Sequence, residues 1–344
     1  MKDQIGKSLA VGYIADYLMS TKDPNDPEVR DLNTAVLEGM GQRFMYITHR
    51  QFMEERKPGG MKGKYYPSSA SKCWRRNYRD HIGMVGSEID PEVRLKFWAG
   101  DMFELETVGL LELAYVKTKN SVGFNNEQID VPFGNEIKGV HHGRPDGLVN
   151  FNYKDHYERY GVDLKPKWLK KDDEYLVLEV KSMGDYPFRL FEKDGPDDTW
   201  GYLGQIHKMM EGLKTPRYLY VAVNREKGTI AEHVGSFKKE YQQKANEIYD
   251  VVMKHVEMKK QPTVPSWTGH GLAKTTSDGW HELALNCNFC GHNKGCYGDE
   301  GYEIRTREVK TRYGTRTVHD VKHASGKQME LHGMAQEIVG GVKV

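Results

Sequence analysis

No run of eighteen consecutive apolar residues occurs anywhere in the 344-residue sequence, so the signature of a membrane-spanning helix is missing. Its N-terminus also lacks the basic-then-apolar pattern of a secretory leader, so a soluble chain in a cytoplasmic setting, with no membrane partner, is expected. Net charge is almost absent. Fifty Lys and Arg against 49 Asp and Glu leave +1, so bulk charge cannot hold a polyanion, and any nucleic-acid contact has to come from local patches. Cysteine is scarce: Cys73, Cys287, Cys290 and Cys296 are the only four, and a reducing cytoplasm argues against a disulfide framework. What remains is a chain long enough for one large domain with appendages, or for two domains, with a substantial core.

Two short stretches carry most of the chemistry. Leu176-Val177-Leu178-Glu179-Val180-Lys181-Ser182 reads as a strand buried on both sides, interrupted by an acid and a lysine. Residues two apart on a strand share a face, so Glu179 and Lys181 stand together where neither charge is tolerable without a partner. His141-His142-Gly143-Arg144-Pro145-Asp146-Gly147, about thirty residues earlier, supplies one: Asp146 lies in a Pro-Asp-Gly turn at the end of the preceding strand. Two carboxylates converging at the sheet edge would bind a hard divalent cation through oxygen.

An Asp in a turn followed by Glu-x-Lys in a hydrophobic strand resembles the signature of the PD-(D/E)XK nuclease superfamily, at Pro145-Asp146 and Glu179-Val180-Lys181. The rest of the pattern agrees in part. A helix is expected from Pro91 to about Val116, with strands from about Ser121 to Pro132, from Ile137 to Asn150 and from Tyr175 to Met183. A short helix over 201–213 and a strand from Arg217 to Val223 follow. That order is the αβββαβ core of the superfamily, an α/β fold with a mixed sheet flanked by helices. The polar insert from Asn152 to Asp173 reads as a loop or hairpin tip, and a further amphipathic helix runs from Phe237 to about Lys259.

Within the superfamily the chain is similar to RecB-type nucleases, which carry Gly-x-x-x-His on the first core helix. Here Gly100-Asp101-Met102-Phe103-Glu104 puts Glu104 in the place of the histidine, a third metal ligand by resemblance, after a glycine expected to let the helix approach the sheet. The same nucleases carry Gln-x-x-x-Tyr on the helix after the Glu-x-Lys strand. Gln205 is present and Met209 replaces the tyrosine, so only Gln205 carries over, as a residue that contacts DNA and orients the site.

Cys287-x-x-Cys290 with Cys296 six residues on, in a Gly-rich segment, is a metal-ligand spacing that zinc and a 4Fe-4S cluster satisfy equally. One distant cysteine, Cys73, plus a C-terminal trio resembles the iron-sulfur staple of RecB-type nucleases, including CRISPR-associated nucleases and the AddB subunit, and implies the cluster. Pro67, Ser68, Ser69 and Ser71 mark a helix start, with Cys73, Arg75, Arg76 and Tyr78 expected on that helix.

The domain reading is a helical region over 1–60, a nuclease domain over 61–300 closed by the four cysteines, and a basic hairpin and tail over 301–344. Basic patches suited to DNA are Arg75, Arg76 and Arg79, then Lys165, Lys167, Lys170 and Lys171, then the segment from Tyr302 to Lys327, with seven Lys or Arg against three acids. The resemblance implies a Mg²⁺- or Mn²⁺-dependent deoxyribonuclease, an exonuclease on single-stranded DNA or DNA ends that leaves 5′-phosphates. Asp146, Glu179, Glu104 and the Val180 carbonyl would hold the cation, and Lys181 would orient the attacking water or stabilise charge on the phosphorane. It places the work in replication, recombination or DNA processing, in a host cytoplasm were the chain phage-encoded. A helicase or recombination protein as partner, and an oligomer, are compatible with the sequence, which specifies neither. The competing readings are a non-catalytic DNA-binding module that keeps the fold with a structural zinc or iron-sulfur site, and a zinc-stapled protein of other ancestry.

Overall fold

The computed structural model describes residues 7–20, 27–49, 52, 62–87, 91–123, 129–135, 139–198, 200–263, 272–311 and 314–325. The connector at 59–61, the tip of the basic hairpin at 312–313 and the tail from 326 onward lie outside them. The chain divides into two units, one of residues 1–56, 66–71 and 90–247, the other of 57–65, 72–89 and 248–344.

The first unit is built on a five-stranded mixed sheet. Its strands are β1 (Ser121–Gly123), β4 (Gly147–Asn152), β5 (Asp173–Met183), β6 (Arg217–Asn224) and β7 (Ile230–Ser236), side by side in that order. Every pairing is antiparallel except β5 with β6, where Glu179 stands opposite Tyr220 and Lys181 opposite Ala222. One face carries Val149, Phe151, Leu176, Leu178, Val180, Leu219 and Val221. It is covered by α1 (Val11–Met19) through Tyr13 and Ile14 and by α4 (Pro91–Tyr115) through Val108, Leu111 and Tyr115. The opposite face carries the alternate residues. There α6 (Asp185–Asp194) brings Phe191 to Tyr220, ring centroids 5.2 Å apart, and α7 (Tyr202–Leu213) brings His207 to Tyr218 at 5.8 Å. The long helix α2 (Pro27–Thr48) packs on α4.

Local chemistry explains several elements. Pro91 begins α4 with Glu92 in its first turn, where a fixed φ and a negative charge both favour a helix start. The start of α1 is held from β7: Glu232 accepts the N–H groups of Leu9, Ala10 and Val11 at 2.7–2.8 Å, satisfying donors the helix cannot. Gly201, at φ 78, leads into α7 against the backbone of Ser71, and a Cβ at Gly204 would overlap Ser71 Oγ.

Three expectations change. The first two expected strands, from Ser121 to Pro132 and from Ile137 to Asn150, are each split. Their outer portions, β2 (Ile129–Phe133) and β3 (Gly139–Gly143), form a separate two-stranded sheet, while β1 and β4 join the main one. The break before β4 falls at Arg144-Pro145-Asp146, where proline has no N–H to continue a ladder. The polar insert is not a loop throughout: α5 (Tyr153–Tyr160) occupies its start, capped by the Asn152 side chain on the Asp155 N–H at 2.8 Å and closed by left-handed Gly161. Cys73 lies just before its helix rather than on it, the serines forming a separate 3-10 turn over Pro67–Ser69 ahead of α3 (Trp74–His81).

The second unit contains α3, the latter part of α8 (Lys239–Glu257), and an antiparallel sheet ordered β10 (Tyr302–Thr311), β11 (Gly314–His323), β9 (His281–Leu283), β8 (Leu272–Thr275). Two short helical turns, α9 (Leu285–Asn288) and α10 (Asn293–Gly298), complete it. Leu283, Cys287, Cys296, Tyr297 and Val321 form its core.

Candidate active site

Asp146 immediately precedes β4, whose Gly147 pairs with Leu178, so the antiparallel register carries Asp146 to Glu179 and Val180. Asp146 Oδ2 accepts the Val180 N–H at 2.8 Å, which fixes the turn onto the strand. Lys181 Nζ lies 2.6 Å from Glu179 Oε1, 2.9 Å from the Val180 carbonyl oxygen and 3.4 Å from Asp146 Oδ2. Gln205 on α7 donates from Nε2 to both Glu179 oxygens, at 3.3 and 3.4 Å. Glu179 is fully buried. The structure thus gathers Asp146, Glu179, Val180, Lys181 and Gln205 into one hydrogen-bonded group.

Glu104, partly buried on α4, joins it through charge. Burial lifts its carboxyl well above the ordinary carboxylate range, Asp146 adds to the lift, Lys181 opposes it, and Glu179 and Asp101 contribute further. Desolvation pulls on the Lys181 ammonium, yet Asp146, Glu179 and Glu104 outweigh it and hold the lysine charged well above its usual range. Gly100 is not what brings α4 in: a Cβ there would rest 3.6 Å from Ser182 Oγ, an ordinary contact.

Two tyrosines belong to this group that sequence reasoning did not single out. Lys181 Nζ lies 5.6 Å from the Tyr202 ring centroid, and burial raises the Tyr202 hydroxyl while Lys181 lowers it and Glu179 raises it. Tyr220, opposite Glu179 on β6, is likewise raised first by burial. The available signals were the i, i+3 spacing of Tyr202 and Gln205 on one helix and the parallel pairing of β5 with β6. Met209, in place of the expected tyrosine, is buried against Gly143.

All four cysteines belong to the second unit, and none is in a disulfide. Burial pushes Cys73 up to about 12 and Cys296 to about 11, and Cys287 and Cys290 act electrostatically on both. Tyr297 donates its hydroxyl to Cys287 Sγ at 3.8 Å. Among the described residues no three His, Cys, Asp or Glu side chains are drawn into a metal-holding group. At the carboxylates, the Lys181 ammonium is the cation between Glu179 and Asp146.

The basic patches are mostly spent internally. Arg75 and Arg79 are buried, donating to the carbonyls of Cys296 at 2.8 Å and Gly295 at 3.0 Å and pairing with Glu300 and Asp299. On the hairpin, Arg305 and Arg307 meet buried Asp320 at 2.9 and 2.6 Å, and Arg307 and Arg316 meet buried Glu282 at 2.7 and 3.0 Å. Lys165 pairs with Asp172 at 2.9 Å.

Fold and site together define a mixed α/β protein with an acid–lysine–glutamine centre at its central parallel strand pair. No family model matches the chain, and no curated protein matches its sequence. Among solved structures it is similar to the alkaline exonuclease LHK-Exo from Laribacter hongkongensis, at 14% identity and TM-score 0.38, covering 59% of this chain and 94% of that one. The same enzyme with dAMP gives 14% identity and TM-score 0.39 over 60% and 96%. SSO0001 gives 11% identity and TM-score 0.37 over 73% and 93%.

Proposed function

We propose that the protein is a metal-dependent DNA nuclease of the PD-(D/E)XK type, an exonuclease on single-stranded DNA or DNA ends. The observation that carries this reading is the meeting of Asp146 with Glu179, Val180 and Lys181 across the β4–β5 register, with Glu104 drawn in from α4. Three carboxyl groups gather around one ammonium, and the donor set is oxygen throughout. That chemistry fits Mg²⁺ or Mn²⁺. Asp146, Glu179, Glu104 and the Val180 carbonyl would hold the ion, which when bound polarises the scissile phosphate and acidifies a water.

The chain's own residues do the rest. Lys181 reaches three of those oxygens, on Glu179 at 2.6 Å, on the Val180 carbonyl at 2.9 Å and on Asp146 at 3.4 Å. The Lys181 ammonium would stabilise the charge developing on a phosphate bound there. Gln205 fixes the Glu179 carboxylate, and the Tyr202 ring offers Lys181 a second face to rest on.

For the second unit, the same reading assigns Cys73, Cys287, Cys290 and Cys296 to one 4Fe-4S cluster, zinc being the alternative. Cys287 and Cys296 lie in the apolar core, Cys73 and Cys290 are half-buried, and the four thiols act on one another electrostatically, a soft donor set suited to a structural role.

Digestion of labelled single-stranded DNA with and without Mg²⁺ tests the nuclease. Asp146→Ala and Glu179→Ala should each lower the rate at least about a thousandfold while DNA binding persists, and Lys181→Ala should remove most activity without weakening metal binding. Near-parental digestion by either carboxylate variant overturns the site.

A further inference from the structure

Arg144 stands apart among the charges near the carboxylates. It lies two residues before Asp146 in the link between β3 and β4, partly buried, and its Nε is closed off from solvent with no hydrogen-bond partner. No carboxylate pairs with it among the described residues, whereas Arg217 on β6 reaches both Glu174 and the Tyr153 hydroxyl. A buried guanidinium N–H with no partner among the described residues is costly unless an acceptor arrives. Its planar fork suits the two oxygens of a phosphodiester.

A second feature points the same way. Phe97 is 49% exposed, and it shares a face of α4 with Asp101 and Glu104 at i, i+4 and i+7. It therefore lies about 10 Å along the helix from Glu104, a step or two of an extended strand. A half-exposed ring there can stack on a base. In a duplex both faces of a base are already covered, so only an unpaired or terminal base is available to it.

We propose that Arg144 and Phe97 form a strand-gripping subsite beside the carboxylates. Arg144 takes the phosphate next to the scissile one and Phe97 stacks an unpaired base, which directs the enzyme to single strands and frayed ends rather than intact duplex. The subsite rests on the nuclease reading.

Binding of labelled oligonucleotides to the full chain in EDTA, where no cleavage occurs, tests it. Arg144→Ala should weaken single-strand binding about tenfold and lower the salt slope by about one. It should cost nothing on a strand whose linkages are neutral methylphosphonates. Arg144→Lys should restore the slope without the full affinity. Phe97→Ala should cost about five- to a hundredfold on natural single strands and nothing on abasic strands or blunt duplex. Equal losses on natural and abasic strands, or an unchanged salt slope, would overturn the subsite. If the parent digests DNA through Asp146 while both variants match it in binding, the subsite falls and the nuclease stands. A parent that neither binds nor cleaves DNA removes both.

Discussion

Glu104 is the residue on which the local chemistry turns, because its carboxyl is raised first by burial and then by Asp146. An acid raised on folding contributes stability that is whole below its unfolded pKa and lost as the pH climbs through the folded one. Glu104→Gln, neutral at every pH, should therefore gain thermal midpoint on the parent as the pH is raised from the ordinary glutamate value upward. Its Mg²⁺ requirement should rise about ten- to a hundredfold. A variant whose midpoint and metal optimum both track the parent's returns Glu104 to an ordinary helix position. At this scale the sequence was informative: an acid and a lysine two apart in a hydrophobic strand cannot be bland, and the structure brings Asp146, Glu179, Lys181 and Gln205 together. Tyr202 and Tyr220 were not legible, because what makes them part of the site is a helix approach and a strand pairing. Nor does a run of arginines announce its partners: Arg75 and Arg79 read as a DNA patch and are buried on main-chain carbonyls.

Among the elements, α7 is closely held at its start. Gly201 and Gly204 let its first turn lie against Ser71, and Gln205 follows directly. Gly204→Ala should cost about 1–3 kcal/mol of stability by overpacking, and should lower the digestion rate more than it lowers DNA affinity. Urea unfolding and steady-state digestion of one preparation measure both; unchanged values would mean that Ser71 yields freely. Long periodic elements such as α4 and β5 could be placed from the sequence. The splitting of the first two expected strands could not, since nothing in the sequence says which sheet a strand joins, and Pro145 alone marks the break before β4. The helix after β4 had its signals, Asn152 before it and Gly161 after it, outweighed by the polarity of the segment. β7 was missed because its residues are all half-buried or exposed.

For the molecule as a whole, the cysteines carry the prediction. Purified without oxygen, the protein should be brown with absorbance near about 400 nm. Cys73→Ala and Cys290→Ala should lose the colour and lower the thermal midpoint by several degrees, because both act on the fold of the second unit. Zinc without iron in such a preparation, with full activity, would overturn the cluster and leave the carboxylate site standing. That unit is discontinuous, its residues 72–89 separated from 248–344 by the strands and helices of the first. Synthesis meets this arrangement in a fixed order. Arg75 and Arg79 leave the ribosome early, while the carbonyls and acids that receive them, at Gly295, Cys296, Asp299 and Glu300, follow on the order of ten to forty seconds later. The five-stranded sheet is fully translated by Ser236, well before then. A nascent chain thus completes its first unit while carrying two guanidiniums that must stay hydrated, and a chain that stops before Gly295 has a finished sheet and a helix with nothing to bury its charges against.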